Sequence, residues 1–270
     1  MVYITIIFLF LFAICFIKVN SADELKIHDF DFAETLPLRG ILAVCVLLCH
    51  LCPYIDGQAP LLADFSLWGP PSVATFFLLT GYGLAYSVKT KGPQYLNGFF
   101  YKRIMRLLSP LLIMTAIYQI YKYYSGTFSV VEMLKEPSPN SWFIYALMVW
   151  YIGFYACFRW AESTKGAVIR IWLFTVLYIA ITVYFKMGYY YMSILPLPIA
   201  VTYVGYEEMA KKYLKAHANK VLLVFILIFV AVMSYSIIGA CNILEVPMWG
   251  PPVYIVVPLC IVLITYILGG

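Results

Sequence analysis

Eight apolar runs of about twenty residues punctuate this chain, at 36–52, 68–88, 104–124, 141–158, 167–185, 189–206, 220–238 and 252–269. About 20 apolar residues make a helix long enough to cross the ~30 Å hydrocarbon core of a bilayer. Repetition at this length leaves few folds open. In lipid every backbone N–H and C=O must find a partner within the protein, so only helices or closed barrels cross it. These runs lack the alternation of apolar and polar residues that barrel strands carry. The expected fold class is therefore all-α: a polytopic integral membrane helical bundle of about eight core transmembrane helices, plus one N-terminal hydrophobic helix. Composition agrees, since the chain is 64% hydrophobic and 11% charged, whereas soluble domains are about 25% charged. Aromatic residues at 18%, among them 24 Tyr, suit interfacial belts and helix packing.

The N-terminal residues 1–17 are continuously apolar. A cleaved signal peptide is one reading, with Val19 and Ser21 ahead of Ala22. The missing basic n-region and the long apolar stretch favour an uncleaved membrane helix. The expected division is an N-terminal hydrophobic segment at 1–20, an acidic linker at 21–35 and a membrane domain at 36–270. The linker holds Asp23, Glu24, Asp29, Asp31 and Glu34, and His28 within it reads as a solvated loop residue.

Basic residues sit in alternate loops: Lys89, Lys91, Lys102, Arg103 and Arg106; then Arg159, Lys165 and Arg170; then Lys211, Lys212, Lys215 and Lys220. The intervening loops hold few or none, and 53–67 carries Asp56 and Asp64 instead. This alternation follows the positive-inside rule. It places Arg39 at the cytoplasmic surface, and it makes the net charge of +5 a topology signal rather than a sign of nucleic acid. The lipid bilayer is the expected partner; nucleic acid is not. Seven cysteines form no disulfide framework, since most lie inside apolar runs, where a thiol behaves as a small hydrophobe. Cys45, Cys49, His50 and Cys52 lack the C-x-x-C-H spacing of haem attachment, and one helix cannot close a zinc site alone. No metal is expected.

Two ionisable residues interrupt the run LPLRGILAVCVLLCHLC: Arg39 and His50. Eleven positions on a helix amount to three turns plus about 20°, and a rise of about 16 Å, so both project from nearly one face. With Arg39 at the membrane surface, His50 lies towards the midplane, where an ionisable side chain is costly and marks a functional site. A snorkelling arginine and a histidine hydrogen-bonded to a neighbouring helix is the other reading. Further on, Lys102, Arg103 and Arg106 open a run in FFYKRIMRLLSPLL. Guanidinium groups three apart share a face and suit bidentate phosphate contact, although lipid headgroups would satisfy them equally. The string Thr80-Gly81-Tyr82-Gly83 is no potassium filter, because it lies in an unbroken span and lacks the valine. Its glycines permit close approach of a helix or ligand.

These pieces, in this order, resemble the acyltransferase 3 family of membrane acyltransferases. The matching residues are Leu38-Arg39-Gly40 with His50, then Phe76-Phe77-Leu78-Leu79-Thr80-Gly81-Tyr82, then Arg103, Arg106 and Pro110, with Asn140-Ser141-Trp142-Phe143 ahead of a later span. Thr80 stands where the family usually has Ser. The resemblance implies transfer of an acetyl or other short acyl group from cytosolic acyl-CoA to a hydroxyl, commonly on a cell-surface carbohydrate or lipid-linked sugar. It implies catalytic roles for His50 and Arg39, and donor binding by Lys102, Arg103, Arg106, Thr80, Gly81 and Tyr82. Acetyl-CoA would be a co-substrate, with no cofactor held permanently, and the setting would be the cytoplasmic (inner) membrane of a bacterium. Burial depresses an imidazole pKa and favours the neutral form a base needs. His50 would deprotonate the acceptor or accept the acyl group itself; both routes stay open.

For the acceptor, Asp56, Asp64, Trp68, Trp142 and Tyr145 offer the carboxylates and aromatic rings that suit sugars, though interfacial anchoring explains the rings as well. Glu207, Glu208 and His217 are expected to face water. Family members usually continue through further helices, so the membrane domain reads as C-terminally shortened, and an inactive shortened homologue is one alternative function. A non-enzymatic carrier is the other; it would show paired inverted repeats, and none is evident.

Overall fold

The structure, a computed structural model, describes residues 32–55, 65, 68–135, 137, 138, 141–240, 258 and 259. The N-terminal hydrophobic segment, most of the acidic linker, Asp56, Asp64 and nearly all of the 252–269 run lie outside the described residues. Among the described residues the fold is all helical: α1 (Phe32–Ile55), α2 (Gly69–Lys91), a 3-10 turn (Pro93–Leu96), α3 (Phe99–Tyr124), α4 (Val130–Lys135), α5 (Trp142–Arg159), α6 (Thr164–Tyr184), α7 (Gly188–Met192), α8 (Pro196–Gly205) and α9 (Glu207–Ala240). Among the described residues four helices are long and apolar enough to cross a membrane, at Thr35–Cys52, Phe99–Tyr124, Trp142–Arg159 and Thr164–Tyr184. Although α2 is 23 residues long, its Ser, Thr, Gly and terminal Lys residues lower its hydropathy, and it is not among the four.

The chain divides into two compact units, one of residues 1–86 with 192–270 and one of residues 87–191. In the first, α1 buries Leu38, Leu42, Cys45 and Cys52, while Leu36, Val44, Leu47 and Leu51 on the other side are exposed. That three- and four-residue spacing makes one packing stripe, and the exposed apolar side suits lipid. The stripe meets the start of α2, where the Cys45 thiol lies against Ser72 and Cys49 lies against Gly69. Along α2 the buried side chains include Ala74, Phe77, Leu78, Leu79, Tyr82, Leu84 and Ala85. At Gly81 the α2 backbone comes so close to α8 that a Cβ there would sit 3.0 Å from the Leu197 Cα and closer still to its carbonyl oxygen.

One expected span, 189–206, is not a single helix. It divides into α7 and α8 around residues 193–195. Pro196 and Pro198 explain this: neither has an N–H to bond the carbonyl four residues back, and their rings crowd that carbonyl. Pro196 instead takes the first turn of α8, where no donor is required. In α9, His217 departs from helical geometry (φ −134°, ψ 23°) and kinks the helix.

The second unit is held by aromatic rings. Phe99 at the start of α3 has ring centroids of Tyr151, Phe154 and Tyr155 of α5 within 5.9, 6.1 and 6.0 Å. Trp150 of α5 meets Phe174 and Tyr178 of α6 at 5.1 and 5.5 Å, both edge to face. Such offset and T-shaped pairs follow from the ring quadrupole. Ser163 caps α6 by accepting from the Gly166 N–H at 3.1 Å. Thr175 and Thr182, buried in that helix, donate to the carbonyls four residues back at 2.6 and 2.8 Å, so their hydroxyls carry no desolvation penalty. By contrast α3 buries only Phe99 and Leu111 among its side chains. Its Leu112, Ile113, Met114, Ile117 and Ile120 are all more than half exposed, as expected of a lipid-facing helix.

Candidate functional site

Both expected catalytic residues lie on the unbroken α1, Arg39 half-buried and His50 exposed. On an α-helix the two are offset by about 20°, so they share the flank of α1 beside the buried stripe. The Arg39 Nε donates to the Thr35 hydroxyl at 3.2 Å, one turn back, and Thr35 itself is buried. This side-chain bond holds the guanidinium along the helix flank. His50 corrects one expectation. Its side chain is exposed rather than buried, because the i, i+3, i+4 stripe that packs against α2 runs through Cys45, Cys49 and Cys52 and leaves position 50 beside it.

In the same unit Thr80 is half-buried, and Gly81 and Tyr82 are buried. The Tyr82 ring stacks on Tyr86 at 5.6 Å and lies 6.3 Å from Tyr203 of α8. Gly81 therefore serves close approach of the α8 backbone, one of the two uses the sequence left open for it. Glu207, expected to face water, is 3% exposed, while Glu208 is exposed as expected. The Glu207 carboxylate is compensated by Lys211 one turn on, at 2.8 Å. Its place in the first turn of α9 also sets a negative charge at the positive end of the helix dipole. His217 is exposed, edge-on to Tyr213 at 4.9 Å.

The unit of residues 87–191 carries the other cations. Lys102 and Arg106 are exposed and Arg103 is half-buried, all in the first turns of α3. Arg103 donates through Nε, at 3.1 Å, and through Nη2 to the phenol oxygen of Tyr95 in the preceding 3-10 turn. Lys91 Nζ lies 6.0 Å from the centroid of the same ring. No Asp or Glu occurs between residues 65 and 131, and among the described residues no carboxylate pairs with Lys91, Lys102, Arg103 or Arg106. Sequence reasoning did not find Tyr95. One tyrosine among 24 has no periodic relation to the arginine pair, and only the Gly92-Pro93 turn signal before it marked a change of chain direction.

Of the acceptor candidates, Trp68, Trp142 and Tyr145 are half-buried. Trp142 lies 5.9 Å from Tyr190 of α7, within the second unit.

Comparison with curated proteins and with solved structures gives no match. The sequence model of the acyltransferase 3 family, described as an acyltransferase domain, matches residues 38–269. The matched range begins one residue before Arg39 and takes in His50, the Thr80-Gly81-Tyr82 string and the Arg103/Arg106 pair. With most of its length matched and several helices able to cross a bilayer, this chain belongs to the acyltransferase 3 family and is a multi-pass membrane acyltransferase.

Proposed function

We propose that the protein moves an acetyl or other short acyl group from cytosolic acyl-CoA to a hydroxyl on a cell-surface carbohydrate or a lipid-linked sugar. In this reading it resides in the inner membrane of a bacterium, with eight core spans and the N-terminal helix. The observation that carries the proposal is the pairing of Arg39 and His50 on one flank of α1, with the imidazole exposed. His50 takes the proton of the acceptor hydroxyl, whose oxygen attacks the thioester carbonyl. The C–S bond then breaks, and the CoA thiolate recovers the proton from the imidazolium. Arg39, held by Thr35, supplies a fixed positive charge for the anionic donor. Lys102, Arg103 and Arg106 take the phosphates of the donor, for which an ammonium and two planar guanidinium groups are suited in a stretch with no Asp or Glu between residues 65 and 131.

Purified protein supplied with acetyl-CoA labelled in the acetyl group, together with membrane and envelope carbohydrate as acceptor, should produce alkali-labile label in the carbohydrate fraction. Binding of CoA without any transfer would point to a carrier or an inactive homologue. Absence of both would remove the reading. Orientation has its own check. Gln94 and Thr127 are exposed at opposite ends of α3. A cysteine at Gln94 should resist a membrane-impermeant thiol reagent in intact cells, and one at Thr127 should react. The reverse labelling would put the cations on the side away from cytosolic acyl-CoA.

A further inference from the structure

An arginine in a protein is usually held by a carboxylate, which neutralises it. Arg103 is held differently. Its Nε and Nη2 both donate to one phenol oxygen, that of Tyr95, eight residues earlier and in another element. The guanidinium carbon lies 5.8 Å from the ring centroid, reached past the oxygen rather than across the ring face. The Tyr95 ring is in turn fixed edge-on against buried Phe99 at 5.8 Å. Its backbone is set by the turn after Gly92, where the Tyr95 N–H donates to the Gly92 carbonyl at 3.1 Å. A guanidinium has five N–H donors. Two go to Tyr95, and the edge formed by Nη1 and the second Nη2 proton remains for a planar or tetrahedral oxyanion. Because the phenol is neutral, ordering this side chain leaves its charge intact. Lys91 lies against the same ring, so a second cation is held near a neutral group in a stretch that contains no acidic residue.

We propose that Tyr95 is a positioning residue that aims Arg103, with Lys91 beside it, at a phosphate group of the ligand. This rests on the reading above that these cations meet acyl-CoA. The chemistry of the site is that of a phosphate monoester or diester, which CoA and an anionic phospholipid headgroup both present, and CoA is the occupant expected. Loss of a pre-set arginine rotamer makes binding weaker by about two- to tenfold, since the ligand must then order a flexible side chain itself.

The experiment uses the full chain in phosphatidylcholine nanodiscs and measures CoA binding for wild type, Tyr95→Phe, Arg103→Ala and the double variant. Tyr95→Phe keeps the ring and its Phe99 contact and removes only the hydroxyl, so its melting temperature should match wild type. It should weaken CoA binding about two- to tenfold. In the Arg103→Ala background it should weaken binding no further, and this non-additivity is what a merely structural tyrosine would not show. Spin-labelled phosphatidylglycerol, titrated into the same four proteins, separates the two phosphate sources. If Arg103→Ala leaves CoA binding intact, the acyl-CoA role of these cations fails. The positioning role then stands on the lipid only if the lipid contact shows the same non-additive loss. Unchanged binding of both anions in Tyr95→Phe, or equal losses with and without Arg103, would overturn the proposal.

Discussion

His50→Ala should abolish acyl transfer, with a fall of about 10²- to 10⁴-fold, the range typical for removing a general base. The same protein should insert, purify and melt as wild type does. The second half of this prediction comes from position. His50 is exposed and makes no hydrogen bond among the described residues, while the stripe that packs α1 runs through Leu38, Leu42, Cys45 and Cys52. Truncating an exposed side chain beside that stripe leaves no cavity. His50→Gln retains a polar group of similar reach but cannot shuttle a proton near neutral pH, so it should be as inactive as the alanine variant. Labelled acetyl-CoA given without acceptor then separates the two chemical routes. Label retained on wild-type protein and absent from His50→Gln indicates an acyl-imidazole; label on neither indicates direct attack by the deprotonated hydroxyl. Transfer at the wild-type rate by either variant would remove His50 from the mechanism. Arg39→Ala should act more mildly, raising KM for the donor more than it lowers kcat, because the guanidinium lies along the helix flank bonded to Thr35 rather than at the reacting atom.

Much of this fold could be read from hydropathy, because a membrane span announces itself by length. The runs expected at 36–52, 104–124 and 167–185 correspond to helices Phe32–Ile55, Phe99–Tyr124 and Thr164–Tyr184. The boundaries differ for local reasons. The third helix starts five residues before its apolar run, because Phe99 enters the core of its unit and draws Lys102 and Arg103 into the first turns. The sixth starts at its Ser163 cap, which hydropathy does not weigh. The 189–206 run misled because Pro196 and Pro198 are apolar by composition yet decide the backbone by geometry. On the site side, spacing on a single helix was legible: two residues eleven apart share a flank whatever surrounds them. Burial was not. Which third of α1 faces α2 depends on the close approach of Cys49 to Gly69, which leaves His50 exposed beside the packed stripe; Glu207 is buried against its residue type, next to Lys211 one turn on. Tyr95 was invisible for the same reason, since its relation to Arg103 is made by a turn rather than by a repeat.

Gly81→Ala should destabilise the protein by about 1–3 kcal/mol, the usual cost of overpacking a filled core, whereas Gly83→Ala two residues on should be neutral or stabilising by up to ~1 kcal/mol from helix propensity alone. The contrast is sharp because both glycines lie in one helix and neither has a positive φ. A methyl at Gly83 meets nothing within 4 Å. A methyl at Gly81 meets the carbonyl oxygen, Cα and carbonyl carbon of Leu197, the last two at 3.0 and 3.1 Å. Those are backbone atoms of α8, so no rotamer change relieves the contact and the two helices must separate. Leu197 is itself fully buried, and Leu197→Ala alone should cost about 2–5 kcal/mol through the cavity it leaves. Combining it with Gly81→Ala should give no rescue, because the obstructing atoms remain. Recovery of stability in the double variant would show that the clash involves the leucine side chain and that α8 does not approach α2 through its backbone. Separation of α2 from α8 also moves Tyr82 from Tyr203 and shifts Thr80, the neighbour of Gly81. Gly81→Ala should therefore lower acyl transfer even at temperatures where the protein remains folded, while Gly83→Ala keeps it, a comparison that circular dichroism melts and the labelled acetyl-CoA assay make on the same preparations.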